Sequence, residues 1–168
     1  MEILSYCLSL TSTVLGLFEP FSKKMKTVLC LNFIGNVLVG LSYLCVAKYS
    51  GSAICFTAAV QLLINYSFTA REKKVPVSLV VFHAIVFLAV NIVTFAVWYD
   101  IFALLAALLF VLSVAQHSPR MYRVIYIANS LLWIAYDILA RAYGNLFTHV
   151  VLSIAIALAI WFRDMRKK

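Results

Sequence analysis

Polar side chains recur at helical spacing inside segments that are otherwise apolar. Asn32, Asn36, Gly40, Tyr43 and Ala47 form one stripe, and Asn129, Trp133, Tyr136 and Ala140 form a matching one. Thr57, Gln61 and Asn65 fall at i, i+4 and i+8, as do Asn145, His149 and Ser153, and His83 shares a face with Asn91. Polar groups are costly in a bilayer core and face the interior of a helix bundle or a wet cavity. Rings beside amides suit a neutral or cationic solute that carries a ring, because the ring stacks while the amides fix its polar edge. The candidate lining of such a site is Asn36, Tyr43, Gln61, Asn129, Trp133, Tyr136 and His149. The plainer alternative is interhelical hydrogen bonding, worth about 0.6 kcal/mol per bond. It would make the chain a non-transporting accessory or assembly protein.

Other chemistry is poorly served. Asp137 stands one turn before Arg141, the spacing of an ion pair at the membrane surface. That leaves no acidic residue in mid-membrane, so facilitated diffusion is expected in place of proton-driven transport. An ordinary imidazole titrates near pH ~6.5, so His149 is the one group placed to respond to protons. Ser153 and His149 adjoin at i, i+4, but no third member orients them, and there is no HExxH or GxSxG motif. No Gly-rich phosphate loop occurs, the last span has no lysine for a retinal Schiff base, and the three histidines are scattered. The expectation is no enzyme, no catalytic residue, no cofactor and no metal.

The elements that must position these residues are transmembrane helices. Apolar residues make up 65% of the 168, and charged residues 12%. A spanning helix needs about 20 mostly apolar residues. Seven spans are predicted, at 3–19, 26–47, 51–70, 76–98, 101–116, 121–140 and 145–162. The first lacks a cleavage site and reads as a retained helix. The fifth is short and can borrow Trp98 and Tyr99 as interfacial anchors.

The basic residues fix the orientation. Lys23, Lys24, Lys26, Arg71, Lys73, Lys74, Arg120, Arg123, Arg163, Arg166, Lys167 and Lys168 follow odd-numbered spans, and only Lys48 and Arg141 follow even ones. The positive-inside rule then puts the N-terminus outside and the C-terminus in the cytoplasm. The net charge of +8 reflects topology and contact with anionic membrane lipid, and excludes a nucleic-acid partner, which would need a basic face. Cys7, Cys30, Cys45 and Cys55 read as small packing residues, with a Cys45–Cys55 disulfide as the alternative.

The two stripes belong to an internal repeat. Asn36, Leu38, Tyr43, Ala47 and Gly51 are matched in register by Asn129, Leu131, Tyr136, Ala140 and Gly144. Both copies cross the membrane in the same sense, so two parallel three-helix repeats need one linking crossing. The division is 1–70 for the first repeat, 71–98 for the linker helix and 99–168 for the second. The fold class is therefore an all-α membrane protein of seven helices. Nothing in the chain speaks against a homo-oligomer.

Two stretches carry a resemblance. L-N-F-I-G-N-V-L…L-S-Y-L…A-K-Y-S-G-S-A, from Leu31 to Ala53, is similar to the YgjV-type bacterial inner-membrane family. P-R-M-Y…N-S-L-L-W-I-A-Y-D-I-L, from Pro119 to Leu139, with the 3+1+3 plan, resembles the SWEET sugar transporters, their half-sized bacterial relatives and the PnuC-like vitamin transporters. The resemblance implies a multi-pass inner-membrane protein with one central solute site and alternating access. A green fluorescent protein fused after Lys168 is expected to fluoresce in intact cells, and a fused alkaline phosphatase to stay inactive. The reverse pattern would invert the orientation.

Overall fold

The computed structural model describes residues 1–165, with side chains to Phe162. Arg166, Lys167 and Lys168 of the basic C-terminal run lie outside the described residues. Among the described residues the fold is all-α, with seven helices. They are α1 (Glu2–Gly16), α2 (Met25–Cys45), α3 (Tyr49–Ala70), α4 (Val77–Thr94), α5 (Asp100–Val114), α6 (Pro119–Ala140) and α7 (Tyr143–Ala159). A π-helical turn, Ile160–Met165, extends α7. Five of the helices are long and apolar enough to cross a membrane, while α1 and α5 have 15 residues each. This is the predicted seven-helix membrane protein.

Local chemistry sets the boundaries. Pro119 opens α6 at a position where its missing N–H costs no bond, and Pro76 precedes α4. Three helices stop on a left-handed residue: Ala47 after α2, Glu72 after α3 and Arg141 after α6. The next amide then turns back to the helix, Lys48 to the Tyr43 carbonyl at 2.9 Å and Ala142 to the Asp137 carbonyl at 3.0 Å. The predicted fourth span runs four residues too far. The Asp100 carboxylate accepts the Ala96 and Val97 amides, at 2.9 and 3.1 Å, and holds the chain off the helix after Thr94.

Six helices close a ring in which α1 packs on α2, α2 on α3, α3 on α5, α5 on α6, α6 on α7 and α7 on α1. The fourth helix lies outside the ring against α3 and α5. It buries a single stripe, His83, Phe87 and Asn91, at i, i+4 and i+8. The distribution is inside-out relative to a water-soluble domain. Leu10, Ile34, Val60, Phe82, Ile92 and Leu131 are exposed, whereas Asn32, Gln61, Asn65, Asn129 and Asp137 are buried. Lipid tails accept the first set and would leave the second unbonded.

Across the ring, α2 and α6 meet at two levels. Asn32, early in α2, bonds Tyr122, early in α6, and Tyr43, late in α2, bonds Asp137, late in α6. The two helices therefore run in the same direction. A serine and threonine seam ties α1 to both sides. Ser5 and Ser9 share the Ser42 hydroxyl of α2, at 2.7 and 2.8 Å. Ser9 also donates to Asn145 of α7 at 2.6 Å, and Thr13 to Thr148 at 2.8 Å. In this seam polar residues act as interhelical glue. The four cysteines are free, so the Cys45–Cys55 disulfide is not formed.

A glycine permits a close approach at the far end of the ring, away from the basic turns. A Cβ on Gly51 would stand 3.2 Å from the Tyr136 ring and hydroxyl and 3.3 Å from Tyr43. One on Gly35 would meet only the Ser12 hydroxyl, at 3.5 Å. Gly51→Leu is expected to lower stability by about 1–3 kcal/mol through overpacking. Gly35→Ala should be neutral or stabilising by up to about 1 kcal/mol, since alanine is the better helix former. Thermal unfolding of both variants in nanodiscs checks the contrast.

Candidate functional site

A narrow cavity lies between α2 and α6, with walls from α1, α3, α5 and α7 and with Phe87 of α4 reaching it. Its polar lining includes Ser12, Glu19, Asn32, Asn36, Asn129 and His149, with Trp133 beside them. The volume is about 40 Å³. A water needs roughly 10–15 Å³ of such space, so about three waters fit and a metabolite does not.

A hydrogen-bonded cluster closes each end. At the basic end, Glu19 sits in the turn after α1, where Pro20 directs the chain towards α2. Tyr122 of α6 donates to the Glu19 carboxylate, and Asn32 donates to both, at 3.1 Å to Glu19 and 2.6 Å to Tyr122. The Arg123 guanidinium donates to the Pro20 carbonyl at 3.2 Å, which ties the same turn to α6. Glu19 stands outside the spanning helices, and burial pushes its carboxyl up to about 7, against the opposing pull of the bonds from Tyr122 and Asn32. Asn36 extends the cluster into the cavity through a 2.6 Å bond to the Asn32 side-chain oxygen.

At the far end, Asp137 is wholly buried. Tyr43 donates to one carboxylate oxygen at 2.5 Å, and His149 Nδ1 lies 2.6 Å from the other. With the ring hydrogen on Nδ1, Asp137 accepts from α2 and α7 together. Trp133 lies flat on the His149 ring, with centroids 5.5 Å apart and planes 12° apart. Tyr43 stacks on Trp133 at 5.8 Å and meets Tyr136 edge-on at 5.9 Å. Aromatic pairs at these distances add to the burial that holds them.

The predicted site residues divide. Asn36, Asn129, Trp133 and His149 line the cavity. Tyr43 stands behind it, because Asp137 takes its hydroxyl and Trp133 covers its ring. Tyr136 faces a second cavity at the far end, with Lys48 and Asp100. The α3 wall ends with Ile54, Cys55 and Ala58, and Gln61 is buried a turn further on, without a hydrogen-bond partner among the described residues. Asn129 spends its amide on the Ala106 carbonyl at 2.6 Å, so it lines the cavity and joins α6 to α5. Ser153 turns its hydroxyl back to the His149 carbonyl at 2.7 Å.

One expectation about acids is corrected. Asp137 does not pair with Arg141. Arg141 is the exposed left-handed residue that ends α6, and its backbone turn carries the side chain away while Asp137 points inward. Buried carboxyl groups sit near the two ends of the bundle, Glu19 in the turn after α1, Asp100 at the start of α5 and Asp137 late in α6. Glu19 was hidden at the predicted edge of the first span. Its neighbour Pro20 was the available signal, since a helix ends at or before the residue that precedes a proline.

Helices of this length, exposed apolar faces and a polar interior define a multi-pass membrane protein. The chain matches the Imp-YgjV family model, described as bacterial inner membrane protein, over residues 3–168. The protein belongs to that family and is a bacterial inner-membrane protein. No curated protein and no solved structure matches it.

Removing one partner of a buried pair leaves the other unsatisfied. Asp137→Ala should therefore cost about 3–5 kcal/mol. Asp137→Asn should cost much less, because the amide oxygen still accepts from Tyr43 and a tautomer change lets His149 accept from the amide. Thermal midpoints of the two variants in nanodiscs decide it, and equal losses would show that the carboxamide does not replace the carboxylate.

Proposed function

We propose that this inner-membrane protein carries a small polar solute, neutral or cationic and bearing a ring, through the cavity between α2 and α6. The observation that supports this most is that one polar cavity lies between two helices of matching sequence and direction, closed at each end by a carboxyl–tyrosine cluster. Trp133 offers a ring for stacking, and Asn36 and Asn129 offer amides at its edge. Solute pockets run to about 300–1,000 Å³, far above the space present, so loading requires the walls to separate. Residues 1–70 and 99–168 are two three-helix units, linked by the segment 71–98, and rocking one against the other opens the cavity to each side in turn.

The Ser5, Ser9, Ser42 and Asn145 seam favours the accessory-protein reading for α1 alone. The α2–α6 clusters go beyond that need, because they sit at the ends of a lined cavity.

The test is binding-induced stabilisation in nanodiscs, with a panel of small ring-bearing amines, amides and nucleosides. Saturation at about 100 times Kd adds about 2.7 kcal/mol to stability. At least one compound should raise the midpoint of the wild type, and Trp133→Ala should abolish the rise. Shifts that survive in Trp133→Ala would remove that ring from the site, and a panel with no shift would sink the solute reading.

A further inference from the structure

We propose that this chain moves protons, with the Asp137–His149 pair as the proton-binding site at the far end of the cavity and Glu19 as the receiving group at the basic end. The inference rests on the same cavity as the carrier reading and concerns proton movement with or without a solute.

Geometry carries it. His149 and Glu19 line one cavity at opposite ends. Asp137 occupies Nδ1 of the His149 ring, which leaves Nε2 to the cavity. Glu19 stands in the turn that leads to Lys23, Lys24 and Lys26, which face the cytoplasm by the positive-inside rule. Between the two, Asn32, Asn36 and about three waters' worth of space supply hydrogen-bonding partners. Ionisable groups set inside a membrane and facing a cavity are the hallmark of proton pathways.

The steps balance without another reactant. A proton from the far side adds to the Asp137 carboxylate and passes to Nδ1 of the His149 ring in its Nε2–H tautomer, giving an imidazolium whose Nε2 N–H bond faces the cavity. The Asp137 carboxylate opposite Nδ1 offsets the imidazolium charge, and the stacked Trp133 ring favours it further. That N–H bond then breaks to a water in the cavity, and an O–H bond forms on the Glu19 carboxylate. Glu19 releases the proton to the cytoplasm and returns to a carboxylate. The other titratable groups facing the pair are Tyr43 on α2, Cys55 on α3 and Tyr136 on α6, with Asp100 of α5 acting on Tyr136. None of the four is an imidazole or an amine, so none becomes a cation on protonation as the His149 ring does.

Two measurements test this without a solute. The first leaves Trp133 as the sole tryptophan, with Trp98→Phe and Trp161→Phe, and follows its emission in nanodiscs from pH ~8 to ~5. Protonation of the stacked imidazole should quench the emission in one step, and His149→Gln should flatten the curve. The second places the chain in vesicles loaded with a pH-sensitive dye and applies a potassium diffusion potential. Wild type should pass protons several-fold faster than empty vesicles. His149→Gln, Asp137→Asn and Glu19→Gln should each fall to the rate of empty vesicles, with nanodisc melting curves showing that the variants are folded. A flat emission curve in the wild type overturns the proposal. So does a proton rate no greater than that of empty vesicles, or one that survives in folded His149→Gln or Glu19→Gln. Proton flux with no stabilising solute in the panel would leave this proposal standing and remove the carrier reading alone.

Discussion

A carboxylate sealed from water must be satisfied by its neighbours, and Asp137 imposes that condition on half of the bundle. It accepts from Tyr43 on α2 and from His149 on α7 while belonging to α6. Three helices are thereby fixed in rotation and depth at one level. Trp133 can lie on the His149 ring only because Asp137 holds that ring in place. The aromatic group of Tyr43, Trp133 and Tyr136 follows from the same anchor.

The opposite end solves the same problem with different parts. There the acid, Glu19, comes from the first half of the chain and the tyrosine, Tyr122, from the second. At the far end the tyrosine comes from the first half and the acid from the second. Each cluster bridges α2 or its preceding turn to α6, and the middle between them is left open as a lined cavity. A packed interior has few voids larger than a water, so an open polar middle between two bonded ends is a feature to be explained by function. The proposed carrier role requires closures at both ends that can be broken singly. Buried hydrogen-bonded pairs serve that need, since each is strong when sealed and replaceable by water when opened.

Much of the helical framework was legible in the chain. The seven helices and most of their ends follow from apolar length, from Pro76 and Pro119, and from the alternation of basic turns. The inward stripes were legible too, because amides at i and i+4 spacing have nowhere else to go in lipid. The acids were not. Asp137 at four residues before Arg141 fits a surface ion pair as well as it fits a buried acceptor, and spacing alone does not separate the two. The backbone separates them, because the left-handed turn at Arg141 ends the helix and sends the two side chains apart. Gln61 shows the converse. Its spacing was right, yet the cavity ends one turn before it on α3, and only the packing of α3 on α5 sets that limit.

The sequence by itself determined the solvent and the topology, a multi-pass helical protein whose polar face turns inward, because a bilayer forbids any other placement of unbonded amides. It also determined that the segments around Asn36 and Asn129 are alike. Only the tertiary structure decided which polar groups meet. Glu19 reaches Tyr122, and Tyr43 reaches Asp137, across more than ninety positions of chain in each case. Those pairings depend on the separation and rotation of whole helices, which are set by side-chain packing around the entire ring and have no local signature in the residues they join.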